Sequence, residues 1–149
     1  MRVVRKAVAP LLFAVWCAGL GVGGTLGCVP KPKQEYSNDQ LKQVGSIEEL
    51  MRVQAQTMDP QFAKIGQGAY NDAEFAAMAS AGHRIKTSSE VIRDQMSQGR
   101  PDSFKGYAGE LGTRADELIA AAEAKDAGRA STALTAIRTT CRTCHKEHR

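Results

Sequence analysis

The chain reads as an all-α protein, an antiparallel up-down-up-down four-helix bundle. Three observations predict it. Apolar residues recur at three- and four-residue steps over four successive stretches. Capping residues open two of those stretches, and a Gly-Arg-Pro break separates two of them. Aromatics make up only 5% of the 149 residues while alanine is abundant, a balance that favours helix over a β-sandwich or barrel. That length holds one domain and a modest core, not two domains of ordinary size. With 42% hydrophobic and 24% charged residues, wholesale disorder is excluded.

A leader comes first. Arg2, Arg5 and Lys6 precede an uncharged stretch from Ala7 to Pro30. Leu11, Leu12, Phe13, Val15 and Trp16 form its apolar centre, and Gly19 to Gly27 is small and flexible. This is the layout of a secretory signal, so residues 1–27 are expected to be removed. The competing reading is an uncleaved anchor helix over Ala7–Leu26, which Gly19, Gly21, Gly23 and Gly24 weaken. Either way, the positive-inside rule leaves the rest of the chain outside the cytoplasm, in the periplasm of a bacterial cell. Gly24-Thr25-Leu26-Gly27-Cys28 resembles a bacterial lipobox, which implies a lipidated Cys28 as the new N-terminus; an ordinary signal with an incidental Cys28 is the alternative. Residues 28–45 then read as a flexible tether holding the domain off the membrane, since Pro, Lys and polar residues show no apolar period. The formal charge of +4 falls to +1 without Arg2, Arg5 and Lys6. No basic stripe interleaved with aromatics remains, so no nucleic-acid partner is expected.

The four helices follow over residues 46–149. The first opens at Ser46, with Ser46 and Glu49 as a capping box. Its inner face runs Ile47, Met51, Ala55, Met58, Phe62, Ile65, and Pro60 is expected to kink it or split off its last piece. The second opens at Asn71, boxed by Glu74, and presents Phe75, Met78, Gly82, Ile85, Ser89, Ile92 and Met96. Gly99-Arg100-Pro101 ends it and starts the third, with Phe104, Ala108, Leu111, Ala115, Leu118 and Ala122 inward. The fourth presents Ala130, Leu134, Ile137, Cys141 and Cys144. A core of Ala, Gly and Met with few aromatics is thin unless another group fills it.

The informative motif is Cys141-Arg142-Thr143-Cys144-His145. CxxCH is the attachment pattern of c-type haem. Residues i, i+3 and i+4 share a helix face, so two thiols can bond one porphyrin edge while His145 ligates iron. Attachment takes place outside the cytoplasm, in agreement with the leader. Three other readings compete, one of them chance, which is improbable for two cysteines and a histidine at this spacing in a chain with four cysteines and three histidines. A Cys141–Cys144 disulfide is an uncommon staple within a helix. A zinc site from Cys141, Cys144, His145 and His148 would crowd its ligands onto one short stretch, poor for tetrahedral geometry.

A CxxCH close to the C-terminus on the last of four helices resembles the cytochrome c-prime superfamily. Arg149, a basic residue four after the histidine, also fits. The resemblance covers about residues 46–149 and implies one covalent haem c, held by Cys141 and Cys144, with His145 as proximal iron ligand. Leu50-Met51-Arg52, with Met58 seven residues after Met51, looks like the low-spin branch, in which a methionine of the first helix is the sixth ligand. In the high-spin branch a nonpolar side chain blocks that position, and NO or CO binds. Pro60 departs from the usual first helix. Met51 is therefore the expected distal ligand, ahead of Met58, with small Ala55 one turn on. His83 lies beside the apolar stripe and reads as a surface residue, and His148 is on the same helix as His145. Arg52 is the first candidate for a haem propionate, by the fit of guanidinium to carboxylate, and a solvated Arg52 is its equal alternative. Arg84 and Lys86 are weaker candidates.

The function expected from this coordination is a periplasmic single-electron carrier, tethered by lipid at Cys28 and served by redox partner proteins. A gas-binding haem protein open opposite His145 is the first alternative, and a haem-free lipoprotein interaction module the second. No distal His or acidic pair stands out for acid–base work, so an enzyme is not expected. Bundles of this type often form homodimers through a helix face, but the sequence shows no decisive patch.

Overall fold

The computed structural model describes residues 36–149. The expected signal peptide, Cys28 and the first part of the expected tether lie outside the described residues. Five helices follow in order: α1 (Asn38–Leu41), α2 (Ile47–Phe62), α3 (Asp72–Gln95), α4 (Asp102–Glu123) and α5 (Ala127–His148). The four long ones form the bundle, and consecutive helices are joined by short turns. Packing is closest between α3 and α4, then α4 and α5, while α2 rests on α3 and meets α5 only lightly.

The caps are chemical. At α3 both halves of the box close: Glu74 N donates to Asn71 Oδ1 at 3.0 Å, and Asn71 N donates to Glu74 Oε2 at 2.9 Å. At α2 only one half forms. Glu49 N donates to Ser46 Oγ at 3.4 Å, but the Glu49 carboxylate turns instead to Tyr36 Oη, 2.7 Å away, and to Arg52. The predicted box there is thus half made, because Tyr36 and Arg52 compete for the same carboxylate. Pro60 lies in the last turn of α2 and does not split it; the helix runs on to Phe62. Pro60 still cannot donate to the Gln56 carbonyl, and the helix ends two residues later. The next residues turn instead, through Gly66 at a φ of 84°, and Ile65 reaches the core from that turn.

The last part of the segment expected as a tether packs against the bundle. Ser37 and Gln40 close a capping box on α1, Leu41 is fully buried, and Val44 is nearly so. Both join a small cluster with Leu50, Val53, Val91, Ile92 and Phe104. Two apolar residues three apart are too few to reveal a helical period in the sequence, and only their neighbours on α2, α3 and α4 make them core.

The main core holds Met58, Phe75, Met78, Ile85, Leu111, Leu118, Leu134 and Ile137, with many alanines. Gly82 lets α3 approach α4: a Cβ there would lie 2.6 Å from Ile119 Cγ1 and 3.2 Å from the Ala115 carbonyl oxygen. The small residues on α3 and α4 thus draw those two helices together and leave the open side of the bundle between α2 and α5.

Candidate functional site

That open side is a cleft of about 810 Å³, counted out to its mouth. Met51, Gln54, Ala55, Met58 and Phe62 of α2 form one wall, Cys141, Cys144 and His145 of α5 the other, and Tyr107 and Leu111 of α4 lie between. The cleft explains a departure in α2. Of the predicted inner face, Ala55 is exposed and Met51 and Phe62 are half-buried, whereas Leu50, Val53, Gln54 and Gln61 are buried. The expected stripe faces the cleft rather than a neighbouring helix.

On α5 the i, i+3, i+4 spacing places Cys141, Cys144 and His145 side by side. Both cysteines are free thiols. Burial pushes the Cys141 thiol up to about 11, with the neighbouring Cys144 adding to the shift. Cys144 is raised too, by desolvation first and then by Glu147. Among the described residues no three His, Cys, Asp or Glu side chains converge as a metal cluster would. His148 is turned away, edge-on to Phe104 and Tyr107 at ring separations of 5.5 and 5.9 Å, with Nε2 3.2 Å from Ser103 Oγ. The zinc alternative therefore finds no site here.

Across the cleft, His145 Nε2 and Met51 Sδ face each other 3.4 Å apart. These groups come from residues 94 positions apart in sequence. Met58 belongs to the cleft floor and is buried in the main core. Arg52 does not line the cleft; its guanidinium pairs with Glu49 and is largely exposed. His83 is on the surface, beside Tyr36 and Arg84.

Three features escaped the sequence reading. Gln54, one turn after Met51, is buried at the cleft and donates from Nε2 to Ser88 Oγ of α3 at 2.9 Å. Thr140, before Cys141, is buried and donates to Glu110 Oε1 at 3.2 Å. Tyr107 Oη donates to Glu147 Oε1 at 2.7 Å, fastening the last turn of α5 to α4. Polar residues on amphipathic helices read as solvent-facing, so only the fold identifies Gln54 and Thr140 as internal and Tyr107 as bonded across helices.

A flat apolar group with iron at its centre suits these walls. The cleft is lined mainly by apolar side chains, two thiols stand on one edge, and a nitrogen and a soft sulfur oppose each other. His145 and Met51 would be the residues to hold the iron, and the methionine side chain is flexible enough to adjust to it.

A helical bundle whose last helix offers CxxCH into such a cleft defines a c-type haem protein. The chain belongs to the cytochrome c' family, whose model matches residues 39–149. Proteins of this family carry covalently attached haem c, serve as electron carriers or gas-binding proteins, and are generally periplasmic. No curated protein and no solved structure matches the chain.

Proposed function

We propose that the protein is a periplasmic carrier of single electrons, with Cys141 and Cys144 holding haem c and His145 and Met51 as its axial ligands. The opposition of His145 Nε2 and Met51 Sδ across the cleft is the observation that carries this reading. Bound haem supplies a one-electron iron couple. The chain supplies the rest. Cys141 and Cys144 would hold the group through two thioethers, so that it stays bound in either oxidation state. Met51 contributes a thioether, a soft donor that favours the reduced metal and raises the potential relative to a second histidine. Gln54, held by Ser88, fixes the α2 turn that carries Met51. Met58 and Leu111 keep water from the cleft floor. A propionate contact from Arg52 would require it to leave Glu49, so its replacement is expected to have little effect. Upstream, removal of residues 1–27 and lipidation of Cys28 would keep the domain on the outer face of a membrane. Mass spectrometry of protein exported by its native host tests that, and a free N-terminus at any other residue excludes the lipid.

Optical spectra test the central claim. The wild-type protein is expected to be low-spin in both oxidation states and slow to take up CO. Met51→Ala should become high-spin, bind CO readily and fall in potential. A wild-type protein that is high-spin and binds CO or NO at once would establish the gas-binding role instead. A spectrum unchanged in Met51→Ala would place another residue on the iron.

A further inference from the structure

Arg138, Arg142, Lys146 and Arg149 recur along α5 and its C-terminal residue at steps of four, four and three, so they share one face, and all four are exposed. They span eleven residue steps, about 17 Å of helix. Among the described residues, none of the four takes part in an ion pair. Glu147, the one acidic residue of this segment, is engaged by Tyr107 and His148. Charge is segregated as a result. Residues 138–149 hold four Lys and Arg against one acidic residue, while residues 36–137 hold eleven against fourteen. The domain over residues 36–149 is neutral in sum, and this segment is basic.

The stripe borders the cleft. The Arg138 guanidinium lies 6.0 Å from the ring centre of Phe62, which lines the cleft, and exposed His145 adjoins Lys146. The helix dipole rewards cations in the last turn, which accounts for Lys146 and Arg149. It does not account for Arg138 and Arg142, which lie further back. Resting on the electron-carrier reading, we infer that this stripe is the docking surface for an acidic face of the protein that exchanges electrons with the cleft. A membrane surface fits less well, because the apolar face of α5 is spent in the core and none is left to enter lipid.

The physics suits a brief encounter. Transient electron-transfer contacts bury less than about 1,200 Å², and complementary charge raises their association rates by about 10–10³-fold at low salt. In the step itself one electron leaves the reduced partner and enters the cytochrome. No bond forms or breaks.

The test uses the mature haem-loaded protein and reduced flavodoxin, a strongly acidic one-electron donor, as probe. Stopped-flow reduction rates should fall as ionic strength rises from about 10 mM to about 1 M, where the Debye length shrinks to about 3 Å. Arg138→Glu/Arg142→Glu/Lys146→Glu should slow the low-salt reaction by about tenfold or more and flatten its salt dependence, with the low-spin spectrum unchanged. Arg129→Glu, a charge reversal at the far end of α5, should change the rate less than about twofold. Equal rates for wild type and the triple variant would overturn the inference while leaving the axial ligation intact. A high-spin wild-type spectrum would remove the carrier reading and this inference with it. If vesicles of phosphatidylserine bind the wild type and not the triple variant, while flavodoxin rates stay equal, the stripe belongs to the membrane instead.

Discussion

Two methionines of α2, seven residues apart, separate cleanly by surroundings. Met51 is half-buried and faces His145, whereas Met58 is 2% exposed and belongs to the main core. Met58→Ala should therefore cost about 2–5 kcal/mol in urea unfolding and leave the low-spin spectrum in place. The opposite pattern, an intact fold and a lost sixth ligand, would exchange their roles. The Cys141 thiol offers a second test. Its folded pKa is raised to about 11 from an ordinary 9.0 by burial, so the folded chain resists ionisation there. In the chain before haem attachment, the stability this burial permits is complete below pH 9 and is lost as pH rises toward 11. The loss amounts to about 2–3 kcal/mol. Thermal melts at the two ends of that window should show it before attachment. Protein with both thioethers formed should lack it, since a thioether does not ionise.

Helix α3 meets α4 across Gly82, where the backbone itself is close. Gly82→Ala gains up to about 1 kcal/mol of helix propensity. It also drives a Cβ to within 2.6 Å of Ile119 Cγ1, and such overpacking costs about 1–3 kcal/mol. The net expectation is destabilisation, relieved in the Gly82→Ala/Ile119→Ala pair and measurable as a double-mutant cycle. Helix α1 is the element the sequence concealed. Its four residues carry no readable period, yet Leu41 is fully buried. Leu41→Ala should cost about 2–5 kcal/mol, whereas a true tether residue would tolerate the change. The long helices were legible because each repeats an apolar face over several turns and two open on capping pairs. The end of α2 was not, because the sequence shows that Pro60 removes one backbone bond but not that the helix carries on to Phe62.

Across the bundle as a whole, α3, α4 and α5 are tightly packed and α2 closes the remaining side across a cleft. A group bonded to α5 and ligated by α2 would join two helices that otherwise touch only lightly. Haem attachment is thus expected to slow amide hydrogen exchange most in α2 and least in α3 and α4. Equal protection throughout would show that α2 is already fixed by α1 and α3. The helical class, the run of four amphipathic faces and the attachment motif were all legible in the residue order. Periodicity and the spacing of Cys141, Cys144 and His145 are local properties, set within a few turns of one helix. It took the packed fold to show that Met51 meets His145, that Arg52 turns to Glu49, that Leu41 and Gln54 are internal, and that the basic stripe borders the cleft. Each depends on contacts between residues far apart in the chain or on different helices, and a residue's own helix does not record what packs against it.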